Sequence, residues 1–390
     1  MIGWGERGAT AQGDLRVVIE LNSADLRIGA VNDALDLAEL AAPTGARFML
    51  CGPLTADFRA EAEGRGIQTA RVTSRTFSRR GLAPYAIDVL AWMARLAWWR
   101  PDVVHLNYSG YGPSLACAAW RCEIPVVARA GGPFIHGNPS NRWVSAYAAN
   151  CRAHADALLA SPLRDRVAVT GDLFRPERVR STLALERALP ARRSGVARVV
   201  FLGQLVERKG LHVLIEALSR TQSSCELLLA GGDWDAPGYP QQLKAMAAAA
   251  GLSSRIHFQN HRPDVGAVLS DADVFVLPSL SEARPRSIIE AMSLGVPVIA
   301  SDVGGIPSLV GHEETGLLVP AGDPNRLALA IDRLVQSHDL RDRLAVAARA
   351  HAARECRADR TAIEYVRLYR RLVADRTGAP SRRPVLGAGA

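Results

Sequence analysis

Short apolar runs alternate with longer amphipathic stretches along the whole chain. The runs in the first half are rich in Val, Leu and Ala and are bounded by polar or Gly-containing turns, which is typical of buried strands. The predicted strands there are residues 16–21, 47–51, 69–72, 101–106, 124–129, 157–160 and 167–169. Between them, residues 30–41, 56–65 and 84–99 space their apolar side chains as helices do. This alternation predicts a parallel sheet with helices on both faces.

A second series of the same kind begins at residue 198. Its predicted strands are residues 198–202, 226–230, 255–258, 273–277, 296–300 and 316–319. Its predicted helices are residues 211–218, 241–250, 264–269, 324–337, 340–353 and 358–374. We therefore predict two doubly wound parallel-sheet (Rossmann-like) α/β domains facing a cleft.

The segment between the two series, residues 179–197, has no strand character and is the expected linker. The predicted domains are then residues 1–178 and 198–357. The end of the chain, residues 375–390, is composed largely of Arg, Pro, Gly and Ala, and we expect it to be disordered.

Length and composition agree with two well-packed domains. The chain has 390 residues, of which 48% are hydrophobic, yet no apolar run is long enough to cross a bilayer. Residues 1–16 lack the apolar stretch of a secretory signal. The cysteines form no C-x-x-C pair, which favours reduced thiols in a cytoplasmic protein. They are Cys51, Cys117, Cys122, Cys151, Cys225 and Cys356.

The net charge of +8 comes almost entirely from arginine and is diffuse, with one concentration in the segment 179–197. A diffuse excess argues against a nucleic-acid partner, and it allows weak attraction to an anionic membrane surface. The predicted helix 84–99 carries three tryptophans and is flanked by arginines. Such a helix fits a membrane interface, but an ordinary core-facing helix has the same pattern.

The polar residues of the second series gather where its strands end. Glu282 and Glu290 bracket a turn and the start of a helix, directly after the strand that ends at residue 277. The carboxyl ends of parallel strands are where open α/β sheets bind ligands. Lys209 opens another helix after the loop that begins with Gly203, and Lys209 beside the amides of a helix N-terminus favours a phosphate.

A second helix N-terminus carries Arg284, Arg286 and Ser287, with Pro285 suited to the first turn. Two such termini meeting at one edge could hold a diphosphate without a metal ion. Glu290 would then accept hydrogen bonds from ribose hydroxyls, and Glu282 would face the group beyond the phosphates.

These motifs together resemble the donor domain of family-4 retaining glycosyltransferases, which have the GT-B fold. The motifs that carry the resemblance are residues 201–211, 273–279, the Glu-x7-Glu pair 282–290, 295–300, 304–307 and 314–320. The resemblance implies a nucleotide-sugar donor, with Lys209 on its diphosphate, Glu290 on its ribose and Glu282 on the transferred sugar. It places the base pocket at His261 and Arg262. It also implies that helix 358–374 crosses back to the first domain.

The chain departs from this family at several positions. Gln204 stands where the family usually has Arg, so either diphosphate binding is weaker or Arg208 substitutes. Ser308 replaces a usual Glu, which we expect to matter little.

The acceptor side of the first domain departs further. The family often places a His after the fifth strand, where this chain has Gly131 and Gly132 with His136 beyond them. Either the glycine amides contact the substrate, or His136 reaches back, or catalysis is impaired. The family's glycine pair after the first strand is here the single Gly29, which a tight turn explains equally well.

A metal ion is not expected. Asp271 and Asp273 spell Asp-x-Asp but lie at the start of a buried strand, where a structural role is favoured. His105, His154 and Asp156 show no spacing typical of zinc ligands.

The sequence thus predicts a retaining, metal-independent glycosyltransferase with a nucleotide-sugar donor and a glycan or lipid-linked acceptor. We expect it to be cytoplasmic or peripheral at the inner face of the membrane. The alternative is a catalytically weak nucleotide-sugar-binding protein that partners another transferase. A GT-B epimerase or phosphorylase is not supported.

Overall fold

A computed structural model describes residues 14–26, 29–72, 82–108, 112–130, 139–162, 164–183, 189–233 and 238–376. The chain divides into two compact units. The first comprises Met1–Leu173 together with Ala358–Ala390, and the second comprises Phe174–Arg357. The six cysteines are all free thiols.

The first unit contains a seven-stranded sheet in which every pair of neighbouring strands is parallel. Its strands are β1 (Leu15–Glu20), β2 (Ala46–Gly52), β3 (Gln68–Arg71), β4 (Val103–Leu106), β5 (Val126–Ala130), β6 (Ala146–Ala149) and β7 (Val167–Val169). The order across the sheet is β3-β2-β1-β4-β5-β6-β7. The order reverses between β1 and β4, which is the switch point of a doubly wound fold.

Helices cover both faces of this sheet. They are α1 (Gly29–Ala41), α2 (Ala56–Gly64), α3 (Leu82–Trp99), α4 (Pro113–Arg121), α5 (Arg152–Leu159) and the last helix of the chain, α13 (Ala358–Arg376). Alternation along β1 divides the core in two, because successive strand residues point to opposite faces. Val17 and Ile19 pack in one cluster with Tyr369 of α13, and Val18 packs in the other with Trp92 of α3.

Three elements of the first unit differ from the prediction. Residues 157–160 are not a strand, because they lie in and just after helix α5. The sixth strand is β6, whose alanine-rich sequence carries little strand propensity. Helix α4 was not predicted at all. A short apolar run does not by itself distinguish a strand from a buried helix, and the alanines of β6 are strand residues because the sheet surrounds them.

The second unit contains a six-stranded parallel sheet of order β10-β9-β8-β11-β12-β13. Its strands are β8 (Ala197–Leu202), β9 (Cys225–Ala230), β10 (Ile256–Gln259), β11 (Val274–Leu277), β12 (Val298–Ser301) and β13 (Leu317–Val319). Its helices are α6 (Pro176–Ser181), α7 (Leu211–Arg220), α8 (Tyr239–Ala249), α9 (Val265–Ser270), α10 (Arg286–Leu294), α11 (Pro324–Gln336) and α12 (His338–Glu355). The prediction of two doubly wound parallel-sheet domains is confirmed.

The start of the second unit precedes the predicted boundary. Helix α6 is part of this unit, and its Val179 is buried in the same core as the strands. Leu189, within the segment predicted as a linker, also packs against that core. The reason is that isolated apolar side chains in a polar segment still gain free energy by burial, although they form no periodic pattern.

Of the helices in the described ranges, none combines the length and the apolar character needed to cross a bilayer.

Candidate active site

The carboxyl ends of β8 and β11 lie side by side at the switch point of the second sheet. β11 pairs in parallel with β8, with Val274 opposite Val199 and Phe275 opposite Val200. The loop from 203 to 210 follows β8, and the loop from 278 to 285 follows β11. Because parallel strands end at the same edge, these two loops are neighbours.

Gly210 brings the two loops into direct contact. It has φ +67°, and a Cβ there would lie 2.0 Å from the carbonyl oxygen of Pro278. The position therefore admits glycine alone without a shift of the backbone. The Leu280 amide also donates to the Arg208 carbonyl at 2.8 Å. Lys209, between Arg208 and Gly210, is thus held against the loop that carries Glu282.

Lys209 and Glu282 form a buried ion pair. The Lys209 ammonium contacts Glu282 Oε1, and the two side chains are 11% and 6% exposed. The buried Ser279 hydroxyl donates to the same carboxylate oxygen at 2.8 Å. Burial lowers the pKa of Lys209 from its ordinary value of 10.5, although the adjacent Glu282 carboxylate opposes that shift. The structure therefore confines a cation and an anion at the edge where a ligand would bind.

The main chain of Glu282 is supported from the other side by the loop after β12. Gly304 has φ +57°, and a Cβ there would lie 1.8 Å from the Glu282 carbonyl oxygen. Arg284 links the same two loops, since its Nη1 donates to Ser308 Oγ at 3.0 Å. Ser308, which departs from the family pattern, thus serves as a partner of Arg284.

Helix α10 begins at Arg286, directly after Pro285. Its first-turn amides have no partners within the helix and give this end a partial positive charge. Arg286 and Ser287 are the first two residues of the helix, and Glu290 lies about one turn further on. All three are partly exposed. The first turns of α10, which carry these predicted donor residues, therefore lie at the same edge of the sheet as Lys209.

The other predicted donor residues also have specific partners. Arg208 Nη2 donates to Gln204 Oε1 at 2.7 Å, so Gln204 orients the arginine that the sequence offers as its substitute. Arg262 is buried and forms a two-pronged pair with Asp264, with Nε to Oδ1 at 2.8 Å and Nη2 to Oδ2 at 2.5 Å. The guanidinium of Arg262 is therefore committed to its own loop. Gly203 lies directly after β8, and its amide donates to the Ala230 carbonyl at 3.1 Å.

The first unit has a polar cluster of its own at the carboxyl edge of its sheet, which sequence reasoning missed. Arg129, near the end of β5, donates to Asp33 of α1 at 2.5 Å, and both side chains are buried. Asn107, directly after β4, donates to the Ala30 carbonyl at 2.9 Å. The only sequence signal was a charged residue inside an apolar strand. Gly29 is the first residue of α1.

The remaining predicted acceptor-side residues, Gly131, Gly132 and His136, lie outside the described residues.

The residues that could suggest a metal have structural partners. Asp271 and Asp273 pair with Arg198 and Arg192, and they precede β11, at the opposite edge of the sheet from Lys209. His105 is buried, with Nδ1 2.5 Å from the hydroxyl of Tyr369. Across the part of the chain that the structure describes, no group of three or more His, Cys, Asp or Glu side chains is arranged to hold a metal ion.

His154 Nδ1 lies 3.0 Å from Asn150 Oδ1.

Two doubly wound parallel-sheet domains are typical of the GT-B fold, and the buried Lys–Glu pair lies at the switch point of the second. Residues 186–351 match the family model of glycosyl transferases group 1. The predicted resemblance is confirmed.

Curated relatives match mainly over part of their length. The chain is 32% identical over 224 residues to D-inositol 3-phosphate glycosyltransferase of Corynebacterium urealyticum, covering 55% of this chain and 52% of the relative. It is 36% identical over 151 residues to the amylovoran biosynthesis glycosyltransferase AmsK of Erwinia amylovora, covering 36% of each chain. The chain thus spans about half, or less, of the length of these curated relatives.

Solved structures match over nearly the whole chain at low identity. A glycosyltransferase from Rickettsia africae superposes with a TM-score of 0.78 at 17% identity, covering 93% of this chain and 99% of that one. The Anabaena protein HepE, in complex with UDP and glucose, superposes with a TM-score of 0.73 at 22% identity, covering 91% and 99%. These likenesses establish the GT-B fold.

Proposed function

We propose that the protein transfers a sugar from a nucleotide-sugar donor to a hydroxyl acceptor, with retention at the anomeric carbon and without a metal ion. The observation that carries the proposal is the buried pair of Lys209 and Glu282 beside the N-terminus of α10. A cation, a carboxylate and the N-terminus of a helix at one edge match the diphosphate and hydroxyl groups of such a donor.

Lys209 would neutralise the diphosphate. An ammonium has three N–H donors, so it can bind phosphate oxygens while one donor remains on Glu282. The first amides of α10 and the Arg208 guanidinium would share the remaining negative charge. Because these groups are in place before the reaction, they would stabilise the leaving diphosphate in the transition state without a metal.

The two carboxylates would divide the rest of the donor. Glu282, oriented by Lys209 and Ser279, would accept hydrogen bonds from hydroxyls of the transferred sugar. Glu290, partly exposed on α10, would accept those of the ribose. An oxygen of the leaving diphosphate would take the proton of the attacking hydroxyl, as the resemblance implies for retaining enzymes.

The acceptor in this proposal is a glycan or a lipid-linked hydroxyl. Two relatives carry names that refer to polymer and lipid-linked products: the amylovoran enzyme of Erwinia amylovora and the lipopolysaccharide core biosynthesis glycosyltransferase LpsE of Rhizobium meliloti. Gly29, Gly131, Gly132 and His136 stay as acceptor-side candidates. The proposed location is the cytoplasm, with peripheral contact at the inner face of the membrane.

Donor binding tests the site directly. Wild-type protein and the variants Lys209→Ala and Glu290→Ala would be titrated calorimetrically with a panel of nucleotide sugars that begins with UDP-glucose. Loss of one charged hydrogen bond costs about 1.5–3 kcal/mol, so affinity should fall roughly 10- to 100-fold in each variant. Unchanged affinity in both variants for a donor that the wild type binds would show that the site is assigned wrongly.

Donor hydrolysis tests the activity. An active transferase should release some free sugar from its donor in the absence of acceptor, and Glu282→Gln should abolish that release. The catalytically weak alternative predicts tight donor binding with no release. Gln204 in place of the usual Arg motivates this alternative, but the named relatives are transferases and do not favour it.

A further inference from the structure

Helix α3 of the first unit presents an apolar face to solvent. Ile87, Leu90 and Trp98 are 66%, 64% and 61% exposed. They are spaced three and eight residues apart, so they lie on one side of the helix together with the exposed Ala94. The opposite side is an ordinary core face, with Val89, Trp92, Leu96 and Trp99 buried. The helix therefore has two apolar faces, and the sheet covers only one of them.

The charged residues of α3 do not interrupt the exposed face. Asp88 accepts a hydrogen bond from Ser114 Oγ at 3.1 Å, on neighbouring helix α4. Arg95 lies over the ring of Trp92, with its Cζ 5.4 Å from the ring centroid. Both are only partly exposed, whereas Ile87, Leu90 and Trp98 are open to solvent. On a protein surface, large apolar side chains grouped in one stripe mark an interaction site more often than scattered ones do.

The sequence around the helix supplies positive charge. Residues 71–100 contain six arginines and one aspartate, which gives this segment a local net charge of +5. Arg100 follows the helix directly and is exposed. A basic segment adjoining an exposed Trp-bearing apolar stripe is complementary to an anionic lipid surface, where each Arg near the surface contributes about 1 kcal/mol.

We propose that the Ile87–Leu90–Trp98 face of α3 binds the surface of an anionic lipid bilayer. The three side chains enter the headgroup region while the helix lies in the plane of the surface, and Arg95 and Arg100 contact lipid phosphates. Trp98 suits this depth because an indole has an apolar body and a polar N–H. The biological purpose of this binding rests on the proposed function, because the surface would bring the enzyme to a lipid-linked acceptor.

Vesicle flotation of the full chain tests the proposal. The wild type should float with vesicles of phosphatidylglycerol and phosphatidylcholine in equal parts, and at least tenfold less with phosphatidylcholine alone or at high salt. The triple variant Ile87→Glu/Leu90→Glu/Trp98→Glu should lose at least tenfold of the binding to anionic vesicles. The matched control is Leu329→Glu/Val346→Glu in the second unit, at side chains that are 62% and 63% exposed. It should float like the wild type.

Three further readouts separate the outcomes. Thermal unfolding and titration with a nucleotide sugar should be the same for the triple variant and the wild type, so that loss of flotation reports the surface rather than the fold or the donor site. The proposal is overturned if the wild type does not float with anionic vesicles, or if the control loses as much binding as the triple variant. Sedimentation velocity tests whether the face instead joins two copies of the chain. The proposal is overturned if the triple variant abolishes a dimer of the wild type and still binds vesicles.

Discussion

Two buried ion pairs lie at opposite edges of the six-stranded sheet. At the amino edge, Arg198 and Glu226 are 0% and 1% exposed. Arg198 Nε donates to Glu226 at 2.8 Å and Nη2 to the Pro190 carbonyl at 2.9 Å, while Nη1 contacts Asp271. At the carboxyl edge, Lys209 contacts Glu282 alone among the groups that the structure describes around its ammonium.

The difference separates a structural pair from a site. The guanidinium of Arg198 spreads its hydrogen bonds over three partners, so a ligand would find few donors there. Lys209 uses one acceptor although an ammonium has three N–H donors, and its lowered pKa reflects incomplete compensation for burial. A buried charge with spare donors, beside helix N-termini, is what an anionic ligand requires.

The largest effect is expected at the structural pair. Arg198→Met should lower the free energy of unfolding by about 3–5 kcal/mol, because it leaves the Glu226 carboxylate buried without its main partner. Urea unfolding measures this. The double variant Arg198→Met/Glu226→Leu should recover much of the loss, since no unpaired charge stays buried. A small loss of stability in the single variant would contradict the structural role of the pair at the amino edge.

The next largest effect on stability is expected at His105, a buried residue of the first unit. Burial, with a smaller contribution from Arg129, lowers the pKa of His105 to about 3. Below about pH 6.5 the unfolded chain takes up a proton at this residue and the folded protein does not, so stability falls as the pH decreases. The loss between pH 7.5 and pH 5 should reach about 2 kcal/mol. In urea unfolding, His105→Gln should show a shallower dependence, and an unaltered one would contradict the assignment.

The pKa of Lys209 gives a test of the ion pair at the carboxyl edge. Affinity for a nucleotide sugar should fall as the pH rises through the pKa of this lysine, which lies below 10.5, because the neutral amine no longer attracts the diphosphate. Above that pKa the loss should approach roughly tenfold per pH unit, or about 1.4 kcal/mol. Lys209→Arg should keep its affinity to higher pH in calorimetric titrations. The same alkaline decline in both proteins would point to another group.

The smallest effect is expected at Ser279. Ser279→Ala removes one hydrogen bond to Glu282, which should cost about 0.5–1.5 kcal/mol and lower turnover or donor affinity roughly 2- to 10-fold. Steady-state kinetics and thermal unfolding distinguish a site effect from a loss of stability. Ser253→Ala is the control, because it makes the same chemical change at an exposed serine that precedes β10, at the opposite edge of the sheet. Equal effects at both serines would mean that Ser279 does not orient Glu282.

Most strands were predictable because parallel strands buried on both faces are almost continuously apolar. Residues 226–230 and 274–277 are recognisable in this way. The wrong assignment at 157–160 and the missed strand β6 share one cause. A few alanines and leucines pack equally well in a helix or a strand, and the neighbouring strands decide which forms.

The candidate site was predictable in its members and not in its contacts. Lys209, Glu282 and Glu290 stood out because they follow apolar strands and open helices. The sequence did not predict three contacts of these residues. Lys209 contacts Glu282, Ser279 donates to the same carboxylate oxygen, and Arg208 donates to Gln204. The pair of Arg129 and Asp33 joins residues far apart in the chain, and its one local signal was a charged residue inside an apolar strand.

The sequence by itself determined the alternation of strands and helices, the two-domain organisation and the resemblance of the second domain to a glycosyltransferase family, because periodic burial, turn residues and short motifs are local properties of a chain. Only the tertiary structure decided which charges meet and which side chains remain exposed. Ion pairing depends on loops brought together by strand order, and the exposure of α3 depends on which of its two apolar faces the sheet covers. The tertiary structure therefore decides that Lys209 has one acidic partner whereas Arg198 has more than one, and that Ile87 is exposed whereas Trp92 is buried.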